Sequence, residues 1–255
     1  MRCEYRSIDR ALELIRAGRD YEALSILESL DASKEQSFWT LRARAGAGGV
    51  TEALEAADSG ELSSSDSEYL RGIAFHRQAL DAIAAGDGGL VDFQFRDAAS
   101  VLSSAVSSDP ARYADAYTPL TEALWNTQQL DAARSAGEEA ASRNSANPRA
   151  HHLLGEVCFS QYIAVREDES KAAEADAHHA AAGTAFRGAL SAVDAKVGGH
   201  STMAAKAASK LGDLAVWKET PEEAASEYAV AVSWDPTALN FAQISQSIGN
   251  TLLVT

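Results

Sequence analysis

The chain has 255 residues, enough for one large domain or two small ones with a sizeable buried core; 46% of it is hydrophobic but only 7% aromatic. Asp and Glu outnumber Lys and Arg by 37 to 22, a net charge of -15, which argues against direct DNA binding because phosphate contacts need concentrated cations. Two cysteines, Cys3 and Cys158, stand far apart without metal-ligand spacing, so no disulfide framework is expected and a reducing compartment is.

The start, MRCEYRSIDR, has no apolar core of a signal peptide, and no apolar run approaches membrane-spanning length. A cytoplasmic chain without membrane insertion is therefore expected, with the nucleus as the alternative. Ala, Ser, Leu and Glu dominate, a composition that favours helices packed through small side chains over sheets.

In chain order, ALELIRAGRDYEALSILESL predicts a helix, a turn at Gly18 and a second helix with Ala23 and Leu27. FWTLRARAGAGGVTEALEAA repeats that arrangement with Gly48, Gly49 and Ala53. EYLRGIAF, with Gly72 and Phe75, begins a third pair. The stretch near 78-94, HRQALDAIAAGDGGLVDF, separates its two helices and predicts either longer helices with an exposed loop or a projecting hairpin.

The second helix of that pair, FRDAASVLSSAVSSDP, places Ala98, Leu102, Ala105 and Pro110 at a spacing that returns as Ala224, Tyr228, Ala231 and Pro236 near the other end of the chain. A third copy keeps Ala182, Phe186 and Ala189 but has Asp194 where the proline stood. Between them YTPLTEALW and HHLLGEVCF, with Leu120, Leu124, Leu154 and Gly155, read as first helices. A second insertion near 163-178 lies in YIAVREDESKAAEADAHH. Small residues at a helix crossing let the backbones approach, and a large residue one turn away fills the space left over. Proline ends the second helix by denying it a hydrogen bond. No such hairpin buries its apolar face alone, so neighbours must stack.

On these residues the chain resembles the tetratricopeptide-repeat (TPR) family, whose units are helix-turn-helix pairs of about 34 residues. The resemblance implies an all-α fold: a single domain over 1-255, a right-handed superhelical solenoid of about six TPR-like repeats, with 237-255 as a C-terminal capping helix. The long fifth pair, KAASKLGDLAVW and AVSWDP are in addition similar to the repeat half of Strap-type transcription cofactors. In those proteins an oligonucleotide-binding-type domain follows the repeats.

The candidate chemistry is sparse. His151, His152, His178 and His179 occur as adjacent pairs, and neighbours on a helix point about 100° apart, which does not clasp one ion as an i, i+4 pair can. No metal and no cofactor are expected. AGAGG and AGDGG lie between helical segments and read as turns rather than phosphate loops. Cys158 sits on an apolar helix face, where burial is the ordinary role. No nucleophile-base-acid arrangement stands out, so the chain is expected not to be an enzyme.

The resemblance instead places function on the concave wall formed by the first helices. Register then points Tyr69, His76 and Arg77 into the groove, followed by Thr118, Glu122, Trp125 and Asn126, by Arg149, His152, Glu156 and Phe159, and by Lys206, Lys210, Asp213 and Trp217. Such a mixed ladder suits a protein partner that offers a peptide or helix. Thr118, Glu122, His152 and Glu156 occupy the wall where chaperone-tail binders of the family carry a carboxylate clamp, so that ligand is not expected. The expected function is a non-catalytic adaptor that binds a peptide or helical segment. The alternative is a structural subunit of a larger assembly that uses the convex face and the insertions.

Overall fold

The computed structural model describes residues 7-237, and the capping helix expected over 237-255 lies almost wholly outside them. The described residues form twelve α-helices and two short 3-10 turns, with no strand among them. The contacts divide the chain after Asn144 into two units, Met1–Asn144 and Ser145–Thr255, and each is described by itself.

The first unit holds α1 (Ile8–Arg16), α2 (Asp20–Leu27), α3 (Lys34–Ala47), α4 (Val50–Asp58), α5 (Ser64–Ala85), α6 (Gly88–Ser108), α7 (Tyr117–Asn126) and α8 (Leu130–Arg143). The second holds α9 (Pro148–Val165), α10 (Ala172–Ser191), α11 (His200–Trp217) and α12 (Pro221–Trp234). Each helix packs on the next within its unit. The odd-numbered helices also touch one another, α1 on α3, α3 on α5 and α5 on α7 in the first unit and α9 on α11 in the second.

Five of the six helix pairs are joined by the same two-residue turn. Its first residue is left-handed at Gly18 (φ 75°), Gly48 (113°), Gly86 (75°), Gln128 (61°) and Glu219 (57°). The second residue takes nearly one conformation each time, from φ -80°, ψ 68° at Gly49 to φ -110°, ψ 76° at Thr220. Its amide donates to the carbonyl five residues back, as from Arg19 to Leu14 (2.8 Å), Gly49 to Arg44 (2.8 Å), Asp87 to Ala82 (3.0 Å), Gln129 to Leu124 (2.9 Å) and Thr220 to Ala215 (3.0 Å). This six-to-one bond is the Schellman closure, which satisfies an orphan carbonyl at the end of the first helix. Both insertions are absorbed by lengthening. The first leaves α5 and α6 with only Gly86 and Asp87 between them, and the second is taken up by α9, α10 and the 3-10 turn Glu169–Lys171.

The predicted close approaches recur in both units. A methyl group on Gly155 would lie 2.5 Å from the Phe186 ring and one on Gly212 would lie 2.5 Å from the Tyr228 ring, while Gly72 meets Leu102 in the same way. Ala98, Ala105, Ala182, Ala189, Ala224 and Ala231 flank these residues at 0% exposure. The two Asp-Pro stops share a geometry as well. Asp109 and Asp235 end α6 and α12 at φ -151° and -152°, whereas α10, without proline, ends on the helical Ala192. Extended backbone is what the residue before proline prefers. In α8 the same spacing runs Ala133, Gly137, Ala140, all buried. A glycine replaces the large residue there, which is why the sequence pattern passes over it.

Candidate functional site

In the first unit the polar residues of the odd-numbered helices turn inward. Arg42 of α3 is 5% exposed. Its guanidinium donates to Asp20 at the start of α2 (2.9 Å), to the Tyr69 hydroxyl of α5 (2.9 Å) and to Asp115 just before α7 (2.8 Å). The Tyr69 hydroxyl in turn donates to Asp115 (2.8 Å). Burial pushes Asp20 above the usual carboxylate range, with Arg42 offsetting part of the rise. Burial also pushes the Tyr69 hydroxyl well up, and the neighbouring Asp115 adds to it. One cation therefore ties four chain segments together, and removing it would leave buried carboxylates uncompensated.

Beside this network Arg112 lies over the Phe38, Trp39 and Tyr113 rings at 4.8, 5.4 and 5.8 Å and pairs with Glu35 (2.9 Å) and Asp66 (3.1 Å). The loop that leads into α7 is thus pinned to α3 and α5 by cation-π and ionic contacts at once.

Tyr69, placed by register in the groove, is 0% exposed and belongs to this internal network. Glu122 is 8% exposed, and its carboxylate meets His76 at 2.7 Å across α5 and α7. Arg77 pairs with Asp81 of its own helix (3.0 Å), and the Asn126 side chain donates back to the Glu122 carbonyl (2.9 Å). Trp125 is half-buried. The first unit therefore spends most of its predicted groove residues on bonds within and between its own helices.

The second unit is different. Along α9, His152, Glu156, Phe159, Ile163 and Arg166 follow one another at steps of four, three, four and three, which is one helical face. Along α11, Lys206, Lys210, Asp213 and Trp217 do the same. The two rows are stitched together. Lys210 Nζ lies 3.2 Å from Glu156 and 5.2 Å from the Phe159 ring, and the Arg166 guanidinium lies 3.7 Å from the Trp217 ring. His152 stands 3.4 Å from Glu156 and 5.5 Å from the Phe186 ring. Arg149 opens α9 behind the Asn147 cap and is half-buried.

The electrostatics of this face are uneven. Glu156 is 8% exposed, and burial raises its carboxyl above the usual range although Lys210 works against the rise. Asp213 is likewise pushed up by burial, in part offset by the Tyr228 hydroxyl that donates to it at 2.7 Å. Lys206 is exposed. Toward the C-terminal ends of the rows the face becomes apolar, with Ile163 39% and Trp217 44% exposed and Phe159 half-buried beside them.

The structure thus brings Glu156, Lys206, Lys210 and Asp213 onto one surface. Ile163 and Arg166, which the sequence reading left out, belong to it too; the signal for them was the continued four-three step beyond Phe159. The sequence reading also missed Asp20, Arg42 and Asp115, because partners 22 and 73 residues apart leave no trace in local spacing.

The paired histidines are separated as their helical directions require. His151 meets the Ser145 carbonyl, His179 meets the Leu214 carbonyl, and His178 lies near Glu174. Among the described residues no group of three or more His, Cys, Asp or Glu is placed to hold a metal ion, and no helix is long and apolar enough to cross a membrane. Cys158 is 1% exposed. Comparison of the chain with protein-family models and with curated proteins finds no match.

Proposed function

We propose that this is a non-catalytic adaptor of TPR-like construction that holds a peptide or helical segment of a partner protein against the first helices of its hairpins. The twelve helices read as six pairs, in keeping with the six repeats expected from the sequence. The same Schellman turn in five of them and the glycine approaches at Gly72, Gly155 and Gly212 support a repeated unit. Contacts between successive first helices inside each unit support stacking in series.

The observation that carries the binding role is the α9-α11 face, where Trp217 and Ile163 stay substantially exposed beside charged groups held in place by their neighbours. An apolar centre with a polar rim is what a peptide-binding surface needs. A photo-crosslinking residue placed at exposed Lys206 and, separately, at exposed Ser226 of α12 tests the reading in native extract. Adduct to a discrete partner from position 206 alone fits the adaptor. Adduct only from position 226 fits the alternative, a scaffold that contacts its assembly through the outer helices.

A further inference from the structure

The first unit departs from a simple stack in the segment that follows the stop of α6. Asp109 turns the chain there: its side chain accepts from the amides of Ala111 (3.2 Å) and Arg112 (2.9 Å), and its carbonyl accepts from the Tyr113 amide (3.1 Å). The turn sets Arg112, Tyr113 and Asp115 against helices of earlier hairpins. Arg112 pairs with Glu35 of α3 and Asp66 of α5, and Tyr113 stacks on Tyr69 at 4.7 Å and donates to Asp66 at 2.8 Å. Asp115 accepts from Arg42 and Tyr69. The short helical turn Ala114–Ala116 also touches α1.

Two of these ties skip a hairpin. Arg112 lies 77 residues from Glu35, and Asp115 lies 73 from Arg42, more than two repeat lengths of about 34 residues. In a solenoid whose repeats touch only their neighbours, hairpins open one after another from the ends, each with its own stability. A brace that joins the second hairpin to the entrance of the fourth removes that freedom, because parting them strands buried charge on both sides. Arg42 extends the brace to the first hairpin through Asp20 (2.9 Å).

We propose that residues 109-116 are a strap that makes the first unit open all at once, from α1 to α7, instead of hairpin by hairpin. The strap has two parts of different character. Its outer clasp is Arg112, whose side chain is 29% exposed and whose partner Glu35 is 49% exposed, so dissolved salt weakens it. Its inner lock is Asp115 with Arg42, 5% and 6% exposed, which salt screens far less. One accessible cation thereby gains leverage over α2, whose tie to the strap runs through the buried Arg42. The strap is independent of the peptide-binding reading, which the second unit carries.

Hydrogen exchange of the full chain under native conditions, followed by mass spectrometry, tests this with Arg112→Gln for the clasp and Tyr69→Phe for the lock. Both variants leave the buried Arg42 and Asp115 in place, and circular dichroism should stay helical. Exchange in α2, α5 and α7 is expected to quicken together in each variant, about tenfold, the factor that a loss of about 1.4 kcal/mol produces. In about 1 M sodium chloride, where the Debye length has shrunk to about 3 Å, the unmodified chain should exchange nearly as fast as Arg112→Gln, while the effect of Tyr69→Phe should persist. Quickening confined to α6, α7 and α8 in Arg112→Gln would show that the hairpins open separately and would overturn the strap. No change in Arg112→Gln, or a salt response as large in that variant as in the unmodified chain, would overturn the clasp. An unchanged α2 in Tyr69→Phe would overturn the lock.

Discussion

Gly155→Ala is the sharpest probe of how the hairpins are held. The added methyl would sit 2.5, 2.6 and 2.8 Å from three carbons of the Phe186 ring, while carbon atoms rest about 3.5-4.0 Å apart. The ring would have to retreat by about 1 Å. Phe186 is 0% exposed and enclosed with Cys158, Ala182, Ala189, Ala207, Leu211 and Leu214, so there is little room to retreat into. Overpacking of this kind costs about 1-3 kcal/mol, and the better helix propensity of alanine returns about 1 kcal/mol. The net loss expected for the single variant is therefore about 0-2 kcal/mol, too blurred a figure to decide anything by itself. A double-mutant cycle separates the two effects. Phe186→Ala alone should cost about 3-5 kcal/mol, but in that background the methyl enters vacated space, and Gly155→Ala should become stabilising by about 1 kcal/mol. The predicted coupling is about 1-3 kcal/mol, read from urea denaturation by far-ultraviolet circular dichroism, with Phe186→Leu as a milder partner if the alanine variant unfolds too readily. An effect of Gly155→Ala that is the same in both backgrounds would refute the idea that glycine is there for the ring.

Four further outcomes can be measured in the same way. Arg42→Met should destabilise the first unit by about 3-5 kcal/mol, because it strands Asp115 and Asp20 in the interior, while Tyr69→Phe should cost about 1-3 kcal/mol; a smaller loss for the arginine than for the tyrosine would contradict the network. Gln128→Gly and Glu219→Gly, at left-handed positions where the other turns carry glycine, should each stabilise by about 1 kcal/mol, and a lowered melting temperature would count against the shared turn. Asn147→Ala should cost about 1 kcal/mol, since its side chain caps α9 by accepting from the Arg149 amide at 3.0 Å. Burial raises the folded Glu156 carboxyl above the ordinary glutamate value of 4.5, so its contribution to stability is fully present below that pH and is lost as pH rises through the folded value. Glu156→Gln should therefore raise the melting temperature near pH 7.5 relative to the unmodified chain, with the advantage shrinking toward pH 4; an offset independent of pH would show that Glu156 does not titrate differently on folding.

The sequence by itself determined the local grammar of this protein. The glycines at 18, 48 and 86 announced turns because a left-handed residue is needed where the chain leaves one helix for the next, and the Asp-Pro pairs at 109-110 and 235-236 announced stops because proline disfavours helical backbone in the residue before it. The Ala-large-Ala rows announced which face each second helix buries. Where chemistry did not demand a special residue, as at Gln128, Glu219 and Gly137, the same structural role was filled without a visible signal.

Only the tertiary structure decided which of the outward-looking polar residues face water. Helical register fixes the direction of a side chain from its own axis and says nothing of what the neighbouring helix sets opposite it. Tyr69 and Glu122 were expected on a groove wall, yet they meet Asp115 and His76 and are closed over, whereas Lys206 and Trp217 in the second unit meet no such lid. That difference arises from pairings across 46 residues of chain, a separation at which spacing carries no information and packing alone brings charge to charge.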